Sequence, residues 1–227
     1  MKVKLSPSLM CMDLLNIESE IRAMNPKSDY YHVDIIDWHY CKNMSLAPCF
    51  MEAISKISDV PQDAHLYVDN VDIDLIDLCI DSGAEIITLP IDAASRATMR
   101  MIRHIKGRGK KVGFFVNPSM RLDIIEPYAE YIDRLLIMTV DPGFAGQPFV
   151  PQSLDKIRLA KQWKEERGYT YEIASDGCCN ENYFKDLYKA GCEVFIVGTS
   201  GLFKRSKDTS KAMDMTIDII NKELEDL

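Results

Sequence analysis

No stretch of this 227-residue chain approaches the ~20 consecutive apolar residues with which a helix spans a bilayer, so a membrane role has no support. Basic charge is also short: 27 Lys and Arg stand against 35 Asp and Glu, a formal net charge of -8. A surface of that sign repels nucleic acid and anionic membrane alike, so neither is an expected partner, and an anionic substrate must be held locally. The seven cysteines are odd in number and scattered, with no pair of CxxC motifs to build a structural zinc site. No signal-peptide pattern precedes the first strand-like run, so a reduced, cytoplasmic protein is expected. No proline- or serine-rich tract marks a boundary, and residues 1–227 are expected to form one domain, since 47% hydrophobic content suffices for a substantial core.

What the chain does have is a rhythm. Short β-like runs alternate with amphipathic stretches eight times. The runs are Val3 to Leu9, Tyr30 to Ile36, Gln62 to Val68, Glu85 to Leu89, Lys111 to Val116, Leu135 to Val140, Tyr171 to Ser175 and Val194 to Val197. Helical candidates include Asp13 to Met24, Ile73 to Ser82, Ala94 to Gly107, Ser153 to Arg167, Asn182 to Ala190 and Asp208 to Glu225. Several end at glycine (Gly83, Gly107, Gly168, Gly191), where a left-handed residue closes a helix. The weakest unit is the stretch near Leu122 to Tyr131, which Pro127 shortens or kinks. Eight such units predict a single-domain (β/α)8 TIM barrel, with a doubly wound open sheet as the alternative.

One run, Tyr30-Tyr31-His32-Val33-Asp34-Ile35-Ile36-Asp37, carries residues that an ordinary buried strand excludes. Side chains alternate along a strand, so His32 and Asp34 share a face at the spacing of two metal ligands. Two further interrupted runs supply His65 and Asp176, and the four are expected to converge on one divalent cation. Two imidazoles and two carboxylates suit Zn, Mn, Co or Fe(II) without deciding among them. In a barrel the candidates fall near the carboxyl ends of strands two, three and seven, where active sites lie. Strand seven is three places from strand two around a ring of eight, so Asp34 and Asp176 can approach a ligand from opposite sides. Each residue alone has an ordinary reading: a histidine at a strand end is usually a bonded core residue, and an aspartate there usually caps the next helix. His32 with Asp34, both inward where charge is costly, favours the ligand reading. His39 and His104 read as a loop residue and an exposed helical residue.

Two glycine-containing turns offer backbone amides to an anion: Asp176-Gly177-Cys178-Cys179-Asn180 and Val197-Gly198-Thr199-Ser200-Gly201. They follow strands seven and eight, the usual phosphate position in this fold. The loop Asp141-Pro142-Gly143-Phe144-Ala145-Gly146-Gln147-Pro148-Phe149 reads as a cover that excludes water from the pocket. Met44, Leu46, Phe50 and Met51 form an apolar cluster after the second run, either core or interface.

The segments Ser6-Pro7-Ser8-Leu9, His32-Val33-Asp34, His65-Leu66, Met138-Thr139-Val140-Asp141-Pro142-Gly143-Phe144-Ala145-Gly146-Gln147, Asp176-Gly177 and Val197-Gly198-Thr199-Ser200 resemble the ribulose-phosphate 3-epimerase family along nearly the whole chain. MTVDPGFAGQPF, DGxCN and VGTSGLF are similar to its D-allulose-6-phosphate 3-epimerase branch. The resemblance implies an isomerase acting on a phosphorylated ketose, with D-ribulose 5-phosphate as the alternative substrate, and a homo-oligomer. It implies one divalent cation on His32, Asp34, His65 and Asp176, with no organic cofactor. Asp34 and Asp176 would exchange protons with the two faces of C3, and Ser8 and His65 would touch the sugar. Gly177, Cys178, Gly198, Thr199 and Ser200 would hold the phosphate, with Gly143, Phe144, Ala145 and Gly146 closing over it.

The chain departs from the family around this site. Ile36, Trp38 and Tyr67 stand where the family has Met, Gly and Met, leaving Met138 alone of three methionines. Pro90 replaces a histidine common in the closest branch, and Cys178 a glycine or serine. Trp38 is expected to add a large ring beside the pocket. These changes bear on substrate and rate rather than on fold. A sugar-phosphate-binding relative with weak or no turnover is therefore a second reading, and a metallohydrolase a third.

Overall fold

A computed structural model describes residues 2–94 and 96–227. Eight parallel strands form its centre: β1 Lys4–Pro7, β2 Tyr31–Ile36, β3 Gln62–Tyr67, β4 Ala84–Pro90, β5 Lys111–Val116, β6 Arg134–Met138, β7 Glu172–Asp176 and β8 Val194–Val197. Each pairs with the next from β2 to β8, and β8 pairs with β1. The β1–β2 seam closes the ring through a Ser8–His32 bridge and through the amides of Asp29 and Tyr30, which both donate to the Leu5 carbonyl. Among the described residues seven α-helices lie outside it: α1 Ile17–Met24, α2 Pro48–Ser55, α3 Ile73–Asp81, α4 Thr98–Gly107, α5 Ser153–Arg167, α6 Phe184–Ala190 and α7 Thr209–Glu223. A 3-10 helix, Leu122–Tyr128, fills the place between β5 and β6. This is the (β/α)8 barrel.

Strand alternation sorts the core into two parts. Tyr31, Val33, Ile35, Leu66, Ile87, Phe114, Leu135 and Ile137 pack outward with helix residues such as Ile21, Met51 and Ile105. Ile36, Tyr67, Ile86, Phe115, Leu136, Met138 and Ile196 fill the barrel interior. Each fully buried aliphatic or aromatic side chain contributes about 1.5–3 kcal/mol of transfer free energy. Burial of two sets on opposite faces makes the strands nearly continuous apolar runs, as a parallel sheet covered on both sides requires.

Local polar groups move several element ends from where periodicity puts them. α1 starts at Ile17 rather than Asp13 because the Asp13 carboxylate accepts the Leu15 amide and the Asn16 side chain, holding a turn. α6 starts at Phe184 because Asn180 Oδ1 takes the Asn182 amide. α4 starts at Thr98, and Ser95 in the expected stretch lies outside the described residues. Gly107 is helical; the left-handed closure comes at Gly109, with φ 71°. Pro127 lacks an N–H, and the fifth unit stays a 3-10 segment. In the cluster after β2, Met51 is fully buried on the inner face of α2 while Met44 is 71% exposed.

Candidate metal centre and pocket

The register of β2 against β3 sets Asp34 beside His65, with His32 two residues earlier on the same inward face. Asp176 ends β7. His32 Nε2 lies 2.8 Å from His65 Nδ1 and 3.2 Å from Asp34 Oδ1, and His65 Nδ1 lies 3.3 Å from the same oxygen. Asp176 Oδ2 is 3.6 Å from His32 Nε2 and 3.8 Å from His65 Nδ1, and all four donor atoms lie within 4.8 Å of one another. Four tetrahedral donors at ~2.0–2.1 Å from a shared cation stand ~3.3 Å apart, so the set fits a divalent ion. The spare carboxylate oxygens are occupied: Ser8 Oγ donates to Asp34 Oδ2 at 2.9 Å, and the Gly177 amide to Asp176 Oδ1 at 2.7 Å. That leaves Asp34 Oδ1 and Asp176 Oδ2 facing the imidazoles.

Burial raises the Asp34 carboxyl, but His32 and His65 outweigh it and hold the group well below the usual carboxylate range. Burial lowers the His32 imidazole, and Asp34, Asp176 and Asp63 together push it well above its ordinary value. The cluster thus demands positive charge at its centre, which either a proton on His32 or a cation can supply.

A second charged group lies below it, unanticipated from the sequence. Fully buried Arg134 donates to Asp63 Oδ2 at 2.8 Å and to Glu172 Oε2 at 2.9 Å, with the Tyr30 ring centroid 4.2 Å from its guanidinium carbon. Thr88 Oγ1 donates to Asp63 Oδ1 at 2.6 Å, and Lys4 pairs with Glu172. Asp63 Oδ2 stands 3.5 Å from His32 Nδ1, the nitrogen turned away from the cluster. The available signal was strand parity: Asp63 has the same parity as His65, so both point inward.

Above the four ligands a cavity opens at the carboxyl end of the barrel. Ser8, Asp34 and Asp176 line it, together with Gly143, Phe144, Ala145, Gly146, Gly177, Cys178, Gly198, Thr199 and Ser200. His32 and His65 are wholly buried beneath and do not line it. The Gly177 amide is taken by Asp176 and the Thr199 amide by the Cys11 thiol, whereas those of Cys178 and Gly198 have no hydrogen-bond partner among the described residues. Asn43 Nδ2 holds the Gly143 carbonyl at 2.6 Å, and within the same loop Gln147 Nε2 donates to the carbonyls of Asp141 at 2.5 Å and Phe144 at 3.0 Å. Ile36, Tyr67, Met138 and Val140 also line the cavity, as do Met10 and Cys11, which no pattern in the sequence had marked.

Trp38 corrects an expectation. Its backbone has φ 70°, making it the one non-glycine with positive φ among the described residues, and this turns the ring outward. The ring is half exposed, with Lys42 Nζ 5.7 Å from its centroid, and it does not line the cavity; nor does Pro90. His39 lies on an exposed loop. His104 is half-buried and bonded to Asp77 at 2.8 Å rather than free on its helix.

The model of the ribulose-phosphate 3 epimerase family matches residues 4–203. The ribulose-phosphate 3-epimerase of Escherichia coli (strain K12) is 31% identical over 212 residues, covering 92% of each chain. That of Aquifex aeolicus (strain VF5) is 33% identical over 200 residues, covering 88% of this chain and 89% of its own. Among solved structures, 3-hexulose-6-phosphate synthase from Salmonella typhimurium aligns with a TM-score of 0.68 at 18% identity, over 97% of this chain and 99% of its own, a likeness of fold. No described helix is long and apolar enough to cross a membrane.

Proposed function

The chain belongs to the ribulose-phosphate 3-epimerase family, and from that premise we propose that it inverts C3 of a phosphorylated ketose. D-allulose 6-phosphate to D-fructose 6-phosphate is the preferred conversion, on the motifs MTVDPGFAGQPF, DGxCN and VGTSGLF, and D-ribulose 5-phosphate is the alternative substrate. The observation that carries this reading is the pair of carboxylates, Asp34 and Asp176, each directing one oxygen at the same two imidazoles from strands three places apart.

His32, Asp34, His65 and Asp176 would hold the divalent cation, Zn, Mn, Co or Fe(II), which when bound supplies Lewis-acid polarisation of the carbonyl. One carboxylate removes the C3 proton, acidified by the neighbouring C2 carbonyl, and the other returns a proton to the opposite face. The two exchange roles when the reaction runs backwards. Ser8, bonded to Asp34 Oδ2, is placed to touch the sugar as well. The open amides of Cys178 and Gly198, with Gly177, Thr199 and Ser200 beside them, support a phosphate site, and Gly143 to Gly146 cover it. Seven free cysteines support a reducing, cytoplasmic setting. The chain works as one domain in a homo-oligomer, which light scattering would measure.

Incubation of metal-loaded protein with D-allulose 6-phosphate in heavy water tests the reaction. One deuterium enters C3 and both epimers accumulate. Absence of exchange with both this ketose and D-ribulose 5-phosphate overturns the proposal; saturable binding without exchange identifies instead a sugar-phosphate-binding relative, the reading that Ile36 and Tyr67 in the pocket favour.

A further inference from the structure

Tyr67, the last residue of β3, is a phenol buried inside the barrel with only 3% of its surface exposed. Its ring is enclosed on three sides, with centroids 4.1 Å from His65, 5.1 Å from Phe115 and 6.0 Å from Tyr40. That wall is itself fixed: Phe115 is fully buried, and the Tyr40 hydroxyl takes Asn117 Nδ2 at 2.6 Å and meets Asp92 Oδ1 at 3.1 Å. A ring wedged this way can direct its hydroxyl only toward the cluster. There it meets Asp176 Oδ2 at 3.3 Å and Met138 Sδ at 3.2 Å. One O–H faces two acceptors, and a carboxylate oxygen is the stronger.

Asp176 Oδ2 is the oxygen that faces both imidazoles, while Oδ1 takes the Gly177 amide. The carboxylate is thus gripped from both ends. Of the four clustered side chains it is the least enclosed, 16% exposed against 3% for Asp34 and none for the histidines, and the left-handed Gly177 follows it at once. The ligand that the strands hold least firmly is the one that a locked hydroxyl reaches.

We propose that Tyr67 is a positioning residue for Asp176: its hydroxyl, held in place by His65, Phe115 and Tyr40, donates to Oδ2 and sets that carboxylate as metal ligand and proton carrier. The catalytic part rests on the epimerase reading; the metal-binding part rests only on the four-donor cluster.

Cobalt(II) titration of the metal-free protein tests it, because the dissociation constant and the visible absorption of bound Co(II) report ligand geometry without turnover. Tyr67→Phe keeps the ring and removes the hydroxyl. It should weaken Co(II) binding roughly tenfold, as loss of an outer-shell partner does, and shift the absorption bands. In the exchange assay kcat should fall with KM for the sugar phosphate within about twofold, since the variant loses positioning rather than substrate contact. Tyr67→Met, which also lacks the hydroxyl, gives the same direction and serves if the first variant folds poorly. Unchanged affinity and spectrum in both variants overturn the proposal, as does failure of the parent protein to bind Co(II). If the parent binds Co(II) yet exchanges no C3 proton, the epimerase reading falls and the Co(II) comparison still decides this one.

Discussion

His32 Nε2 stands 3.2 Å from Asp34 Oδ1 and 3.6 Å from Asp176 Oδ2, so one buried imidazole is shared by two carboxylates from strands that do not pair. Each carboxylate keeps its other oxygen on a separate donor, a hydroxyl for Asp34 and an amide for Asp176. The arrangement is two-sided, and it makes the two sides separately testable.

Asp34→Asn and Asp176→Asn each preserve shape and remove one base. Either should lower kcat about 10²–10⁴-fold, the usual weight of a positioned acid or base. Each should also retain slow C3 exchange from only one of the two epimers, because the remaining carboxylate still reaches its own face. Proton NMR in heavy water, started separately from each epimer, measures both effects.

Removing metal with a chelator should abolish exchange and lower the unfolding temperature. At a free metal concentration 100 times Kd the stabilisation is about 2.7 kcal/mol. For a chain of this size that corresponds to roughly 5–10 °C in Tm. Calorimetric scans with and without Zn, Mn or Co supply the numbers and rank the ions.

Arg134→Leu isolates the charge network under the site. Burial raises Asp63 and Glu172, yet Arg134, joined by His32 for Asp63 and by Lys4 for Glu172, brings both below their usual values. Folded pKa values below the unfolded ones mean that the stabilisation is present above the unfolded pKa, about 4, and is lost as pH falls through the lowered values. At neutral pH the variant leaves Asp63 buried without its guanidinium partner, costing about 3–5 kcal/mol. The deficit should begin to narrow above about pH 4, because burial raises the stranded carboxyl and it takes up a proton before an ordinary carboxylate does. Thermal unfolding across pH 3 to 7 reads it.

Two glycines separate backbone strain from crowding. Gly177 has φ 93°, and an added Cβ meets Val140 Cγ2 at 2.7 Å and Thr139 Oγ1 at 3.0 Å. Gly146 has φ 85° with nothing within 4 Å. Gly146→Ala should cost about 1–2 kcal/mol from the left-handed backbone alone. Gly177→Ala should cost more and also weaken binding of inorganic phosphate several-fold, because relief of the clash moves the turn that carries the Cys178 amide. Isothermal titration and unfolding curves on both variants check it.

Strands Lys111–Val116 and Val194–Val197 and helix Ser153–Arg167 fall where periodicity puts them, because apolar spacing is written directly along the chain. The common face of His32 and Asp34 was legible for the same reason. Tyr67 was visible as a departure, but not the direction of its hydroxyl, which depends on three rings brought from β3, β5 and the loop after β2. The outward turn of Trp38 depends on one backbone angle that its neighbours do not announce. Asp63 and Arg134 are the sharpest case: they lie on β3 and β6, never pair along the sheet, and meet across the interior only because the ring is closed. Alternation along a strand is a covalent property and determines which side chains point inward. Which inward side chains touch is decided by barrel closure and cross-barrel packing, interactions between segments that no local pattern encodes.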